Sequence, residues 1–289
     1  MRTVRSVLTA TEARLDYLEA ATMFDQAIDN GSNVVATDVM VARLVDAARQ
    51  MAGSHSTDTY KLAAVRQAIY VSGAWNHNSA FSYDLADPLG QKIGDRLLSS
   101  YVRTRKGNCV SMPILFVIVA DKVGLNVHLA TAPLHLFVRY TDPAGMDHNL
   151  EATSGGHEAR TEWYRANLPM TDRAIESGAY MRTLSKRETV AEMATTVMDF
   201  LIAEHRYQEA IEVAHAILVV NPRDVYTLVR EGTAIAGLLQ TQCKMRAASA
   251  LPALQQRCRT LLNANANAFA TAEALGWRAA LQEKSLGGP

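Results

Sequence analysis

Three features of the sequence predict an α+β protein in which helices pack on a small antiparallel sheet and an all-helical tail follows. Apolar residues recur at helical spacing from Thr9 to about Val123, interrupted by one irregular crossover; the spacing then switches to alternation between Val127 and Thr153, and helical spacing returns beyond it. Nearly half of the 289 residues, 48%, are apolar, enough to bury a large core. These shifts divide the chain into N-terminal helices packing on the core over 1–57, a central α+β domain over 58–184 and a helical domain over 185–289.

Leu15, Leu18 and Ala21 to Phe24 form one repeating helical face, and Val41, Leu44, Val45 and Ala48 form another beyond Gly31-Ser32-Asn33. A third helical segment spans Asp58 to about Gly73. It runs into Asn76-His77-Asn78-Ser79, residues that favour turns and caps, and then into a crossover through Tyr83, Pro88 and Gly90. The spacing predicts a further helix over Ile93 to Val102. Arg103 to Asn108 break the period, and a long apolar helix from Cys109 to about Val123 stops at Gly124. Val127 to Thr131, Leu134 to Tyr140 and His148 to Thr153 alternate as three strands of an antiparallel meander. After Ser154-Gly155-Gly156 the helical pattern resumes, with a polar linker near Leu184 to Arg187. Within the tail, Ala210, Ala214 and Pro222 keep the rhythm of one tetratricopeptide unit, a helical hairpin of about 34 residues. Such units stack to bury their faces, so Gln240 to Leu262 and Ala264 to Leu275 are expected to complete a short array, with the last residues frayed.

Lysine plus arginine and aspartate plus glutamate both total 29, which leaves no net field for nucleic acid and no polybasic run for acidic lipid. Glu12, Asp16 and Glu19 interrupt the N-terminus before an export signal could form. The longest apolar stretch, Pro113 to Val119, falls far short of the roughly 20 residues of a membrane span. Three widely spaced cysteines predict neither a disulfide framework nor a zinc knuckle, which places the protein in a reducing cytoplasm, with Cys243 and Cys258 as small buried hydrophobes.

Cys109 carries the chemical signal. It follows Gly107-Asn108 at the start of an apolar helix, where unpaired N–H groups and the helix dipole favour a thiolate. His135 opens an alternating strand on which Leu134, Leu136, Val138 and Tyr140 face one way and His135 and Phe137 the other. Treating Thr141 to Gly145 as a five-residue hairpin loop pairs Tyr140 with Met146 and sets His135 opposite Glu151, so imidazole and carboxylate share a face. Asn149 is the nearest substitute for Glu151, and His148 falls on the opposite face. The Cys109 N–H supplies one oxyanion donor by position; Asn76, Asn78 and Tyr83 are candidates for the second, and Ser111 and Thr153 are structural. His128, His135, His148 and His157 crowd one region without the short spacing of a metal site, and no phosphate loop or dinucleotide fingerprint is present, so neither metal nor cofactor is expected.

Gly107-Asn108-Cys109-Val110-Ser111, Asp121-Lys122-Val123-Gly124-Leu125 and Ala132 to Tyr140 together resemble the bacterial transglutaminase-like proteins of SirB type. The match extends upstream through Phe81 to Asp84 and Arg103 to Lys106, and downstream through Asn149 to Gly156. The resemblance implies a papain-like core followed by tetratricopeptide repeats, with a cysteine, histidine and acid triad mapped onto Cys109, His135 and Glu151. Many relatives carry proline where this chain has Cys109, and transglutaminases more typically use aspartate where it has Glu151. The expected function is cysteine-dependent acyl transfer or amide hydrolysis on a protein or peptide substrate, with the tail holding a protein partner. The competing expectation is a non-catalytic scaffold that retains the fold.

Overall fold

The computed structural model describes residues 2–54, 57–243 and 252–279. Helices α1 (Arg2–Thr9), α2 (Tyr17–Ile28), α3 (Val34–Ala52) and α4 (Asp58–Tyr70) lead into the crossover. Strand β1 (Ser82–Tyr83) runs parallel to β2 (Lys106–Gly107), on either side of α5 (Leu98–Thr104). Helix α6 (Ser111–Lys122) then packs on an antiparallel sheet ordered β3-β4-β5-β6, with β3 at Val127–Ala132, β4 at His135–Thr141, β5 at Asp147–Glu151 and β6 at His157–Glu158. Two short helices follow, α7 (Thr161–Asn167) and α8 (Asp172–Glu176). The tail comprises α9 (Lys186–Met193), α10 (Thr195–Ala203), α11 (Tyr207–Val220), α12 (Val225–Gln242) and α13 (Pro252–Ala274).

The helix expected over Ile93 to Val102 is divided. A 3-10 turn, Ile93–Arg96, ends at Leu97 in an extended conformation, and α5 starts afresh at Leu98. The break has a tertiary cause: the buried Asp25 carboxylate of α2 accepts from the backbone N–H groups of Leu98 and Ser99, capping α5 from another element. Such a cap leaves no mark in the local pattern.

The alternation of β4 divides its side chains as expected. Leu136, Val138 and Tyr140 join the main core against α6, while Phe137 stacks on Tyr164 on the other face. The hairpin register differs from the expected one. Tyr140 pairs with His148 rather than Met146, and Val138 with Leu150. Asp142 decides this: its Oδ1 accepts from the N–H groups of Ala144 and Met146, so the five-residue loop begins at Asp142 and Thr141 remains in the strand. The shift is two residues, which preserves the face of every side chain. Glu151 therefore still shares the face of His135, although it lies diagonally from it rather than opposite.

The tail is not a separate layer. Val190, Met198, Leu201, Val213 and Ile217 lie in one hydrophobic cluster with Leu15, Phe24, Leu44 and Phe116. Main-chain bonds carry the chain across the composition break near residue 185: Met181 N–H donates to Thr131 O at 2.9 Å, Leu184 N–H to Leu129 O at 3.2 Å, and Leu129 N–H to the Thr189 hydroxyl at 3.1 Å. This strip covers the free edge of β3, which would otherwise expose unpaired backbone groups.

Two expectations for the tail need correction. Helix α13 runs unbroken through residues 262–264, where a boundary was expected, and residues 244–251 of the expected helix Gln240 to Leu262 lie outside the described residues. The expected frayed end falls largely on 280–289, also outside them. Cys243 and Cys258 are not buried hydrophobes but a disulfide, 15 residues apart with Cα atoms 6.0 Å from each other. The antiparallel approach of α12 and α13 brings them together, a proximity that linear spacing does not encode. Disulfides belong to oxidising compartments, so the cysteine argument for a reducing cytoplasm falls. Among the described residues no helix is long and apolar enough to cross a membrane.

A chain ended at Ser185 should lose cooperative folding. Val190, Met198, Leu201, Val213 and Ile217 would withdraw on the order of 10 kcal/mol of burial, as much as a typical domain's whole stability. Circular dichroism melting of the truncated chain checks this, and a sharp transition close to that of the full chain would refute it.

Candidate functional site

Asn108, buried in the turn before α6, organises the cysteine. Its side-chain oxygen accepts from the N–H groups of Val110 and Ser111 at 3.0 and 3.1 Å, and its carbonyl accepts from Met112 N–H at 3.1 Å. The helical bonding ladder thus begins at Asn108, although the regular helix starts at Ser111 rather than at Cys109 as expected. Pro113 explains the offset, since it has no N–H to give the Cys109 carbonyl. Gly107 is obligatory, because a Cβ there would stand 2.6 Å from the Tyr101 ring and 2.8 Å from Met112. Ser111 bonds to Asn108 and completes the cap.

Cys109 is buried and reaches the end of the sheet. Its Sγ lies 3.7 Å from the carbonyl of Leu134, the second residue of the two-residue turn between β3 and β4. Leu134 has φ +55°, a left-handed conformation that costs a non-glycine residue about 1–2 kcal/mol. That turn starts β4 at His135, so the imidazole sits at the sheet's end rather than over its middle.

His135 Nε2 donates to Glu151 Oε2 at 2.7 Å, and the Cys109 side chain is close enough to act on the ring's charge. Nδ1 is therefore the nitrogen left for sulfur. Glu151 is held on both oxygens: Oε1 accepts from the Thr153 N–H at 3.0 Å and hydroxyl at 2.5 Å, and Oε2 also accepts from the Tyr164 hydroxyl at 2.9 Å. Thr153 is thus more than structural filler, since it clamps the carboxylate through two donors. The longer glutamate side chain spans the diagonal left by the two-residue register shift.

Electrostatics follow from this geometry. Burial draws the imidazole pKa down, but the bonds to Cys109 and Glu151 and their negative charges outweigh it and push His135 up to about 9. Burial raises Glu151, yet the bond and charge of His135 and the two Thr153 donors hold it below the ordinary carboxylate value.

The oxyanion donors come out differently from expectation. The Cys109 N–H is occupied, donating to the Pro88 carbonyl at 3.2 Å. Asn76 spends its side chain on the backbone of Ala68, Val71 and Gly73, and Asn78 is exposed at a turn, so neither reaches the cysteine. Tyr83 does reach it: pairing of β1 with β2 sets Tyr83 beside Gly107, and its hydroxyl donates to the same Pro88 oxygen at 3.3 Å. Burial, then the charges of Cys109 and Glu151, push this phenol up to about 12, so it stays a donor at neutral pH. Asn149 bonds to Ala159 O and the Thr161 hydroxyl and anchors the chain before α7.

The other histidines disperse. His128 meets Tyr17 and Asn126, His148 meets Asp142 and Glu158, and His157 meets Arg66. Among the described residues no group of three or more His, Cys, Asp or Glu is arranged to hold a metal ion. Tyr164 was absent from the sequence-derived site. Its only sequence signal is an aromatic residue in the first helix after the carboxylate strand, too common a feature to single out.

A buried cysteine at a helix start, beside the end of an antiparallel sheet where a histidine bonds a buried carboxylate, marks the candidate site of an α+β protein. The chain belongs to the transglutaminase-like superfamily, whose family model matches residues 36–195. It is similar to a UPF0162 protein of Buchnera aphidicola subsp. Acyrthosiphon pisum, 23% identical over 235 residues that cover 78% of this chain and 81% of the relative. A second UPF0162 protein, from Buchnera aphidicola subsp. Schizaphis graminum, is 23% identical over 171 residues, 57% of this chain and 59% of the relative. No solved structure matches the chain significantly.

His135 should titrate near 9 by imidazole NMR, and Glu151→Gln should lower that value by a unit or more. Because the folded value lies above the ordinary 6.5, His135 contributes stability in full below 6.5 and loses it as pH rises through about 9. Glu151, held below its ordinary 4.5, contributes above that pH and loses its contribution as pH falls through the folded value. Denaturant melts across this range should therefore show an alkaline loss that Glu151→Gln blunts; an unchanged profile would contradict the assignment.

Proposed function

We propose that the protein is a cysteine acyl-transfer enzyme, either a hydrolase or an amine transferase, acting on an amide or thioester of a protein or peptide. The observation that carries this reading is the His135–Glu151 bond beside the buried Cys109, with Glu151 held by donors on both oxygens. In it Cys109 sulfur, its proton already held by His135 Nδ1, attacks the acyl carbonyl. The thioester carbon–sulfur bond forms, the bond to the leaving group breaks, and His135 returns the proton to the leaving amine or thiol. Glu151 holds the ring in one tautomer and stabilises the imidazolium. Water or an amine then displaces Cys109.

Tyr83 O–H and Cys109 N–H are the oxyanion donors in this scheme, since both already point at one carbonyl oxygen. That oxygen belongs to Pro88, so it stands where the substrate's oxygen would go and must leave first. The crossover is held by the buried Asp87 carboxylate, which accepts from Gln91 and Lys92 N–H at 2.7 and 3.0 Å. The helical tail, which carries the tetratricopeptide-like rhythm, would hold a protein partner or the substrate. A scaffold role is the second reading, favoured by the burial of Cys109 beneath the crossover.

Acylation by p-nitrophenyl acetate, read as the burst of nitrophenol, tests the scheme against alkylation by iodoacetamide, which develops no oxyanion. His135→Ala should slow both reactions, acylation by roughly a hundredfold or more. Tyr83→Phe should slow acylation by roughly a hundredfold and leave alkylation unchanged. Asp87→Ala should speed both by loosening Pro88. Equal rates in wild type and His135→Ala would favour the scaffold.

A further inference from the structure

A recess that shares no residue with the Cys109 site opens where α3 passes the end of α5 and the turn at 76–79. It encloses about 460 Å³, within the roughly 300–1,000 Å³ of small-molecule sites. Arg43 of α3, His77 of the turn, and Arg103 and Arg105 at the end of α5 line it. Three guanidiniums thus share one recess in a chain whose formal charge is zero.

Among the described residues none of the three arginines meets a carboxylate; the ion pairs of lysine and arginine are made by other side chains. Arg43 Nη1 lies 3.1 Å from His77 Nε2. Arg105 Nη2 lies 3.5 Å from the Met40 sulfur, and its guanidinium sits 4.3 Å from the centre of the Phe81 ring. These contacts fix the cations in place and leave their charge unanswered. One carboxylate, Asp29, stands on the wall, and its Oδ1 accepts from the Gly31 N–H at 2.8 Å. The start of α3 adds little, because Asn33 already takes the Ala36 N–H on its side chain and the Thr37 N–H on its carbonyl. Two lining residues are also held in the left-handed region that side chains avoid, His77 at φ +59° and Arg105 at φ +62°. Glycine suits such positions better, and backbone held there against its preference collects at ligand sites.

We propose that this recess binds a phosphate monoester dianion, its terminal oxygens shared among Arg43, Arg103 and Arg105. Like charges crowded into one recess repel, and an anion seated among them turns that repulsion into attraction. A carboxylate brings one charge and two coplanar oxygens, which a single guanidinium fork satisfies; a phosphoryl group brings two charges and three oxygens, which several forks can share. The organic part of the ligand rests on Met40, Val39 and Val102, the apolar side of the wall. The site stands whether or not Cys109 is a nucleophile.

Isothermal titration of the full chain at about pH 7.5, where a phosphate monoester carries close to two charges, tests this. Methyl phosphate should bind, and methyl sulfate, of the same shape with one charge fewer, should bind roughly tenfold more weakly. Arg43→Gln and Arg103→Gln, at exposed helix positions, should each weaken methyl phosphate by about tenfold and leave the circular dichroism melt unchanged. Arg105→Gly, which suits the left-handed backbone, should abolish binding; the two glutamine variants decide the matter should it fold poorly. Glycerol 3-phosphate binding above N-acetyl-O-phosphoserine methylamide identifies a small organic phosphate as the source, and the reverse order a phosphorylated polypeptide. No binding of methyl phosphate, equal binding of methyl sulfate, or an affinity unmoved by both glutamine substitutions overturns the proposal.

Discussion

The buried bond between His135 and Glu151 is the constraint around which this end of the molecule is arranged. A carboxylate removed from water is tolerable only when nearly every lone pair is engaged. Glu151 meets that demand with His135, the two Thr153 donors and Tyr164. The Tyr164 ring in turn stacks on Phe137 of the neighbouring strand, so packing on the outer face of the sheet fixes the electrostatics at its end. The bond to Glu151 uses Nε2 of His135 and leaves Nδ1 outside it.

The same economy of polar groups explains why the tail and core cannot be described apart. Asp199 of α10 binds Arg96 of the turn before α5, while the 181–189 strip hydrogen-bonds along β3. These contacts place tail carboxyls within a few side chains of the sheet's end. A cavity between them is consequently bounded by His135 on one side and Glu192 on the other, and neither element alone would form it.

The Pro88 carbonyl satisfies two donors at the buried end of the sheet. The Cys109 N–H and the Tyr83 hydroxyl would otherwise be left bare. Here the crossover fills them with its own oxygen, held by the Asp87 turn. Occlusion and donor placement are two consequences of one loop geometry.

Periodicity indicated the helices on either side of the three longer strands and the division of faces on β4 but not the short strands β1, β2 and β6, and the residue types at Cys109, His135 and Glu151 marked the candidate site. These are local properties: spacing of 3.6 against 2 residues, and the chemistry of single side chains. Tertiary structure decided the rest, because each remaining feature depends on groups far apart in the chain. Asp25 capping α5 and Cys243 meeting Cys258 are contacts between separate helices, and Tyr83 reaches Cys109 only through the parallel pairing of β1 with β2. The hairpin register turned on the carboxylate of Asp142, whose turn competes with the neighbouring start by a few hydrogen bonds; parity protected the Glu151 assignment, since a two-residue slip leaves every side chain on its own face.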